Sequence, residues 1–237
     1  FMEGSLCSNL RTAAVGGLAA KYLARSDAKS IGFIGAGEQA KAHLLAMKAA
    51  CPALQKCYVA SRTTSSEDLF VTQMRRFCPG MIFEKCSGDY KKAVAQADII
   101  VTAISGQEKI LQAEWIKDGA FYCHVAGLED DFSVAQKAGK IVCDNWEAVK
   151  HRTQTISQMY QMGLLQDSDI YADLHEIITQ KKPGRENPSE FIYFNSVGMS
   201  FVDTLLAYRM FQKCVQAGIG PVICLKERSM FDKDACT

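Results

Sequence analysis

The apolar positions change their spacing along the chain. Over residues 11–25, Leu18, Tyr22 and a series of alanines fall on one side of a helix that stops before Ser26-Asp27. From Lys29 onward, short apolar runs alternate with helical stretches at close intervals. The runs at 30–34, 56–60, 81–85, 99–103, 121–125 and 141–144 predict strands, and the stretches at 37–50, 66–77, 90–96 and 133–138 predict helices. Strands that are apolar or small on both faces, joined by helices, predict an α/β fold: a doubly wound parallel sheet of the Rossmann type. Beyond Asp144 the alternation stops. Helices are predicted over 153–162 and 171–178, and a polar loop broken by Pro183 and Pro188 over 181–188. A short strand follows over 190–194, then a long amphipathic helix over 197–217 that Gly218 and Gly220 end.

Composition narrows the classes. The 237 residues, 48% of them hydrophobic, suffice for one generous domain or for a domain with part of a second. With 27 basic and 26 acidic residues the net charge is +1, which removes the electrostatic case for nucleic acid or an anionic membrane as principal partner. No apolar run approaches the roughly 20 residues needed to cross a bilayer. Ten cysteines are scattered without a CxxC pair or a cluster with histidine. They read as reduced, buried thiols of a cytoplasmic protein, and no metal site is expected.

The chemistry enters after the first strand. Ile31-Gly32-Phe33-Ile34 runs directly into Gly35-Ala36-Gly37-Glu38-Gln39-Ala40, which opens a helix and so meets the context that a GxGxxG pattern requires. Gly35 suits the tight turn, Gly37 lets backbone approach a pyrophosphate, and Ala40 packs helix on strand. The helix N-terminal N–H groups would hold the phosphates; the alternative is a glycine turn with no ligand. An NAD-specific domain usually ends its second strand with an acid, whereas here Tyr58-Val59-Ala60 leads to Ser61-Arg62-Thr63. A guanidinium between two hydroxyls suits a 2′-phosphate, so NADP(H) is expected in preference to NAD(H). A solvated Arg62 is the plainer alternative.

Four stretches then occur in order: Leu10-Arg11-Thr12-Ala13-Ala14, the turn Gly35 to Ala40, Lys181-Lys182-Pro183-Gly184-Arg185, and Phe194-Asn195-Ser196-Val197-Gly198 with Asp203 beyond. Together they resemble the ornithine cyclodeaminase and mu-crystallin family, which includes certain alanine dehydrogenases. The resemblance implies an upstream domain that forms a homodimer and supplies basic residues to the substrate. On that expectation residues 1–10 end the upstream domain, 11–198 form the dinucleotide-binding domain, and 199–237 carry a helix back to the dimerisation domain. That helix would show an apolar face of Phe201, Leu205, Tyr208, Met210 and Phe211.

Carried over by position, the resemblance puts Arg11 beside cofactor and substrate carboxylate, with Thr12 at the cofactor. Ser196 and Val197 would close over nicotinamide and substrate, and Ile104, Ala126 and Gly127 would border the cofactor. The family's acid-base carboxylate follows the fifth strand in a Gly-x-Asp pattern. Here Gly127-Leu128-Glu129 puts Glu129 at that position, with Asp130 the alternative if the register slips; an acidic helix N-terminus accounts for the same residues equally well. Ser133 stands where the family has a lysine, and Ile104 where it has a threonine. His43, His124, His151 and His175 read as packing or surface residues. The implied activity is hydride exchange at the Cα of a small amino or imino acid, by a cyclodeaminase, a dehydrogenase or an imine reductase. The alternative is a catalytically weak binder of NADPH and a small ligand, as mu-crystallin is.

Overall fold

The protein is described by a computed structural model over residues 4–221. Its strands are β1 (Ser30–Ile34), β2 (Lys56–Ala60), β3 (Ile82–Lys85), β4 (Ile99–Thr102), β5 (Phe121–His124), β6 (Lys140–Cys143), β7 (Ala172–Asp173) and β8 (Ile192–Asn195). They form one sheet in the order β3-β2-β1-β4-β5-β8-β6-β7, and every neighbouring pair is parallel. The doubly wound Rossmann-type arrangement predicted from the alternation is therefore present.

Each helix lies on one face because alternate strand residues point to opposite sides. Ile31, Phe33, Val101, Cys123 and Phe194 belong to the core shared with α1 (Gly4–Leu23), α2 (Glu38–Ala50) and α3 (Thr64–Phe77). Ile34, Ile100, Tyr122 and Tyr193 belong to the other, which holds α4 (Tyr90–Ala95), α5 (Phe132–Lys137), α6 (Trp146–Val149) and α7 (Thr155–Gln161).

Four expectations change. The first helix begins at Gly4, so a boundary between residues 10 and 11 falls inside one continuous helix. The 171–178 stretch is not a single helix: Ala172–Asp173 joins the sheet edge, and α8 (Leu174–Ile178) starts after it, where Asp173 and Glu176 form a reciprocal capping box. The alternation does not stop at Asp144, because β8 lies between β5 and β6 in the middle of the sheet. The last helix, α9 (Ser200–Gln216), begins three residues late because residues 196–198 are drawn down to a buried carboxylate, described below.

The surface of α9 is apolar. Phe201, Leu205, Tyr208 and Phe211 are 66%, 50%, 57% and 59% exposed, Met210 is half-buried, and the helix leans on α1. All eight described cysteines are free, six of them buried and Cys51 and Cys214 half-buried. Cys224 and Cys236 lie outside the described residues, as do residues 1–3 and 222–237 of the outer segments anticipated from the sequence. Among the described residues no helix is long and apolar enough to cross a membrane, and no cluster of His, Cys, Asp or Glu is arranged to hold a metal ion.

Candidate functional site

At the carboxyl ends of β1, β2 and β4, where the strand order reverses, a cavity of about 610 Å³ opens. Gly35 makes the turn out of β1 with φ +107°, and a Cβ there would fall 2.3 Å from the Ala103 carbonyl oxygen, so only glycine fits. Gly37 is the N-cap of the thirteen-residue α2 and brings no capping side chain, and the space where its Cβ would stand is open. The first-turn N–H groups of α2, from Glu38 onward, therefore lack side-chain acceptors beside a cavity lined by Gly35, Ala36, Gly37, Glu38 and Gln39. With the helix dipole behind them they form an anion site. These residues fit a dinucleotide pyrophosphate.

Ser61, Arg62, Thr63 and Ser66 line the end nearest β2. Thr63 caps α3: its Oγ1 lies 2.8 Å from Ser66 Oγ, and Ser61 Oγ donates to the Thr63 carbonyl at 2.9 Å. No acid ends β2, and the first acid beyond it, Glu67 in α3, faces inward. Fully buried, it accepts from the N–H groups of Ser61, Gly88 and Ser87, each at 2.9 Å. Its charge is used to hold the turn, while Arg62 stays exposed at the cavity.

At the opposite end, Ala103, Ile104, Val125 and Ala126 form the wall. Glu129 braces it from behind. Its Oε1 accepts from the Ile104 N–H at 2.7 Å, and its Oε2 accepts from Thr102 Oγ1 at 2.7 Å and the Ala126 N–H at 3.1 Å. Asp130 Oδ1 accepts from Thr155 Oγ1 at 2.7 Å, Tyr193 OH at 3.3 Å and Tyr122 OH at 3.4 Å. Burial pushes the Asp130 carboxyl up to about 6, against the pull of His124 and Thr155. Both acids are fully buried, and neither lines the cavity, so the structure sets the two expected proton-transfer residues one layer behind the wall. Gly127 likewise does not line it, and the next residue, Leu128, donates its N–H to Gln107 Oε1 at 3.3 Å.

The sequence pattern reads His124 as a packing or surface residue. It is fully buried, yet its Nε2 lies 3.4 Å from Asp130 Oδ1 and 3.8 Å from Glu129 Oε2. The signal is strand alternation: His124 stands two residues after Tyr122 in β5 and so faces the same side of the sheet.

The remaining predicted residues gather around the turn after β8. Asp144, 3% exposed at the end of β6, accepts through Oδ2 from Ser196 Oγ at 3.0 Å and from the N–H groups of Val197 and Gly198 at 2.9 and 2.8 Å. Burial raises its pKa, and these hydrogen bonds oppose the rise. Gly198 has φ +87°, and a Cβ there would stand 2.2 Å from Arg11 Nη1. The Arg11 guanidinium thus rests on this turn, with its Nε donating to Asp203 Oδ1 at 2.8 Å. Thr12 turns into α1 and donates to the Ser8 carbonyl, whereas Asn9, which sequence reading passed over, lines the cavity.

Gln154 links the two walls: its Nε2 donates to the carbonyls of Ala126 and Ser196 at 2.8 and 3.0 Å, and its Oε1 accepts from Asn195 Nδ2. Beside it a second cavity of about 180 Å³ is lined by Val125, Ala126, Arg152, Thr153, Gln154 and Val197. Glu67, Asp144 and Gln154 escaped sequence reading because their partners are distant in the chain.

The sequence matches the model described as "Ornithine cyclodeaminase/mu-crystallin family" over residues 1–218. It is 29% identical over 224 residues to N-((2S)-2-amino-2-carboxyethyl)-L-glutamate dehydrogenase of Staphylococcus aureus, covering 94% of this chain and 66% of that protein. The solved structure of Thermococcus litoralis Delta(1)-pyrroline-2-carboxylate reductase, in complex with NADH and L-proline, superposes with TM-score 0.88 at 30% identity, over 94% of this chain and 69% of that one. An archaeal alanine dehydrogenase dimer with bound NAD superposes with TM-score 0.85 at 27% identity, over 95% and 69%. The chain spans about two thirds of the length of each of these proteins.

Proposed function

Since the chain belongs to the ornithine cyclodeaminase/mu-crystallin family, we propose that it is an NAD(P)(H)-dependent oxidoreductase acting at the Cα of a small amino or imino acid. The observation that carries this reading is the uncapped N-terminus of α2 at a cavity that runs on to the Val125–Ala126 wall. When bound, the nicotinamide supplies or accepts the hydride. The chain's own residues bind and orient. The α2 first turn holds the pyrophosphate, Arg11 anchors the substrate carboxylate, and Ser196 and Val197 close over the reacting carbon. Glu129, saturated by donors from both loops, orders the Ile104 and Ala126 wall, and behind it Asp130 keeps its proton up to about pH 6, well above the ordinary carboxylate range.

NADP(H) is the proposed preference. It is supported by Ser61, Arg62, Thr63 and Ser66 at the ribose end and by the inward turn of Glu67. The two solved relatives hold NADH and NAD, so the proposed preference rests on this chain's own turn alone. A homodimer of the full-length protein is supported by the dimeric archaeal relative and the exposed apolar row of α9. A reducing compartment such as the cytoplasm suits eight free cysteines.

The test is absorbance at the nicotinamide band with the full-length protein and a panel of amino and imino acids, with either cofactor. Turnover is expected. Cofactor binding with no turnover across the panel would instead favour the second reading, a catalytically weak binder of NADPH and a small ligand. One observation speaks for that reading: neither Glu129 nor Asp130 reaches the cavity.

A further inference from the structure

We propose that Arg152 forms a subsite for a second anionic group on the substrate, so that the preferred amino or imino acid is a dicarboxylate. The inference rests on the function proposed above and names the substrate class of that same site. Val125 and Ala126 line both cavities, so the smaller one adjoins the end of the larger at which the reacting carbon is assigned. Its lining includes one charged residue, Arg152, and no acid. Arg152 is exposed, and among the described residues no carboxylate pairs with it. The nearby acids are committed elsewhere: Glu147 and Asp167 take Lys150 at 2.7 and 3.6 Å.

The cation stands on a fixed base. The Arg152 N–H donates to the Val149 carbonyl at 2.9 Å, and its own carbonyl accepts from Gln161 Nε2 at 3.2 Å. Two residues on, Gln154 is locked to Ala126, Asn195 and Ser196. Val197 also borders the small cavity, and Arg11 rests on the adjoining Gly198. One guanidinium is thereby assigned to the α-carboxylate and the other to a distal anion, across the same turn. A guanidinium fork matches a carboxylate with two parallel charge-assisted hydrogen bonds. A diamino acid would bring its side-chain ammonium against like charge.

The full-length protein loaded with NADPH would be titrated calorimetrically with L-glutamate, L-norvaline and L-ornithine, three amino acids of similar length. In the presence of the reduced cofactor no net oxidation of these ligands obscures the heats. Glutamate is expected to bind about tenfold tighter than norvaline, the effect of one charge-assisted pair, and ornithine more weakly than norvaline. R152Q is expected to bring glutamate to within about twofold of norvaline, and R152K to retain part of the difference, with NADPH affinity unchanged in both. An unchanged glutamate-to-norvaline ratio in R152Q, a preference for ornithine, or no amino acid binding to the NADPH-loaded protein would each overturn the subsite. Failure of both NADPH and NADH to bind would instead overturn the underlying function, and the subsite with it.

Discussion

Asp130 makes the stability of this protein fall as pH rises through the acid range. Its carboxyl is pushed from the ordinary 3.8 to about 6, chiefly by burial. Stability from this group is complete below about 3.8, where folded and unfolded chains are both protonated. It is lost progressively up to about 6, because over this range the unfolded carboxyl ionises in water while burial keeps the folded one protonated. The difference of about 2.2 units, at about 1.36 kcal/mol per unit, amounts to about 3 kcal/mol. The groups facing Asp130 are His124, Glu129, Tyr122, Tyr193 and Thr155. D130N keeps an oxygen for the Thr155 hydroxyl and removes the ionisation. Because Asp130 Oδ2 has no partner, the new amide nitrogen also finds none, and the variant starts out less stable at low pH by about 1–3 kcal/mol. Urea denaturation of both proteins at intervals from pH 4 to 8 measures the effect. The wild-type stability should approach or cross below that of D130N above about pH 6, the gap having changed by about 3 kcal/mol. Parallel pH profiles would refute the reasoning.

Gly35→Ala should abolish binding of either cofactor in a fluorescence titration, since a Cβ 2.3 Å from Ala103 O forces the turn open; retained affinity would remove this turn from the site. Arg62→Ala should weaken NADPH about tenfold and leave NADH unchanged, and equal effects on both would end the case for a 2′-phosphate contact. Asp144→Ala leaves the Ser196 hydroxyl and the N–H groups of Val197 and Gly198 without their acceptor. It should cost about 2–4 kcal/mol in urea denaturation and weaken binding of a substrate carboxylate more than of NADPH. Replacing Leu205 and Phe211 with serine should lower the dimer fraction of the full-length protein in sedimentation velocity, and an unchanged dimer would assign the α9 face to another role.

What the sequence revealed was local. Gly35, Gly37 and the start of α2 are neighbours in the chain, so the turn could be read from spacing alone, as could Ser61-Arg62-Thr63. The reading failed where a residue answers to one far away. Glu67 is satisfied by Ser87 and Gly88, and Asp144 by residues 196–198, and no periodicity marks such pairs. Glu129 is legible as a carboxylate after the fifth strand, but its burial depends on where the β4 and β5 loops lie together. The short β7 was absorbed into a helix because its two residues lead straight into a capping box, which reads as helix start and strand end alike.

The central position of β8 also governs the order in which the molecule can be completed. β6 has no partner among β1 to β5, and β7 pairs only with β6. Until β8 emerges, about fifty residues after β6 ends, that two-strand unit has nothing to dock on. During synthesis, then, the half that holds the pyrophosphate can form early, while the wall carrying Ser196, Val197 and the Asp144 contact assembles only when nearly the whole sheet has been made. Cofactor could thus meet a nascent chain well before any substrate pocket exists.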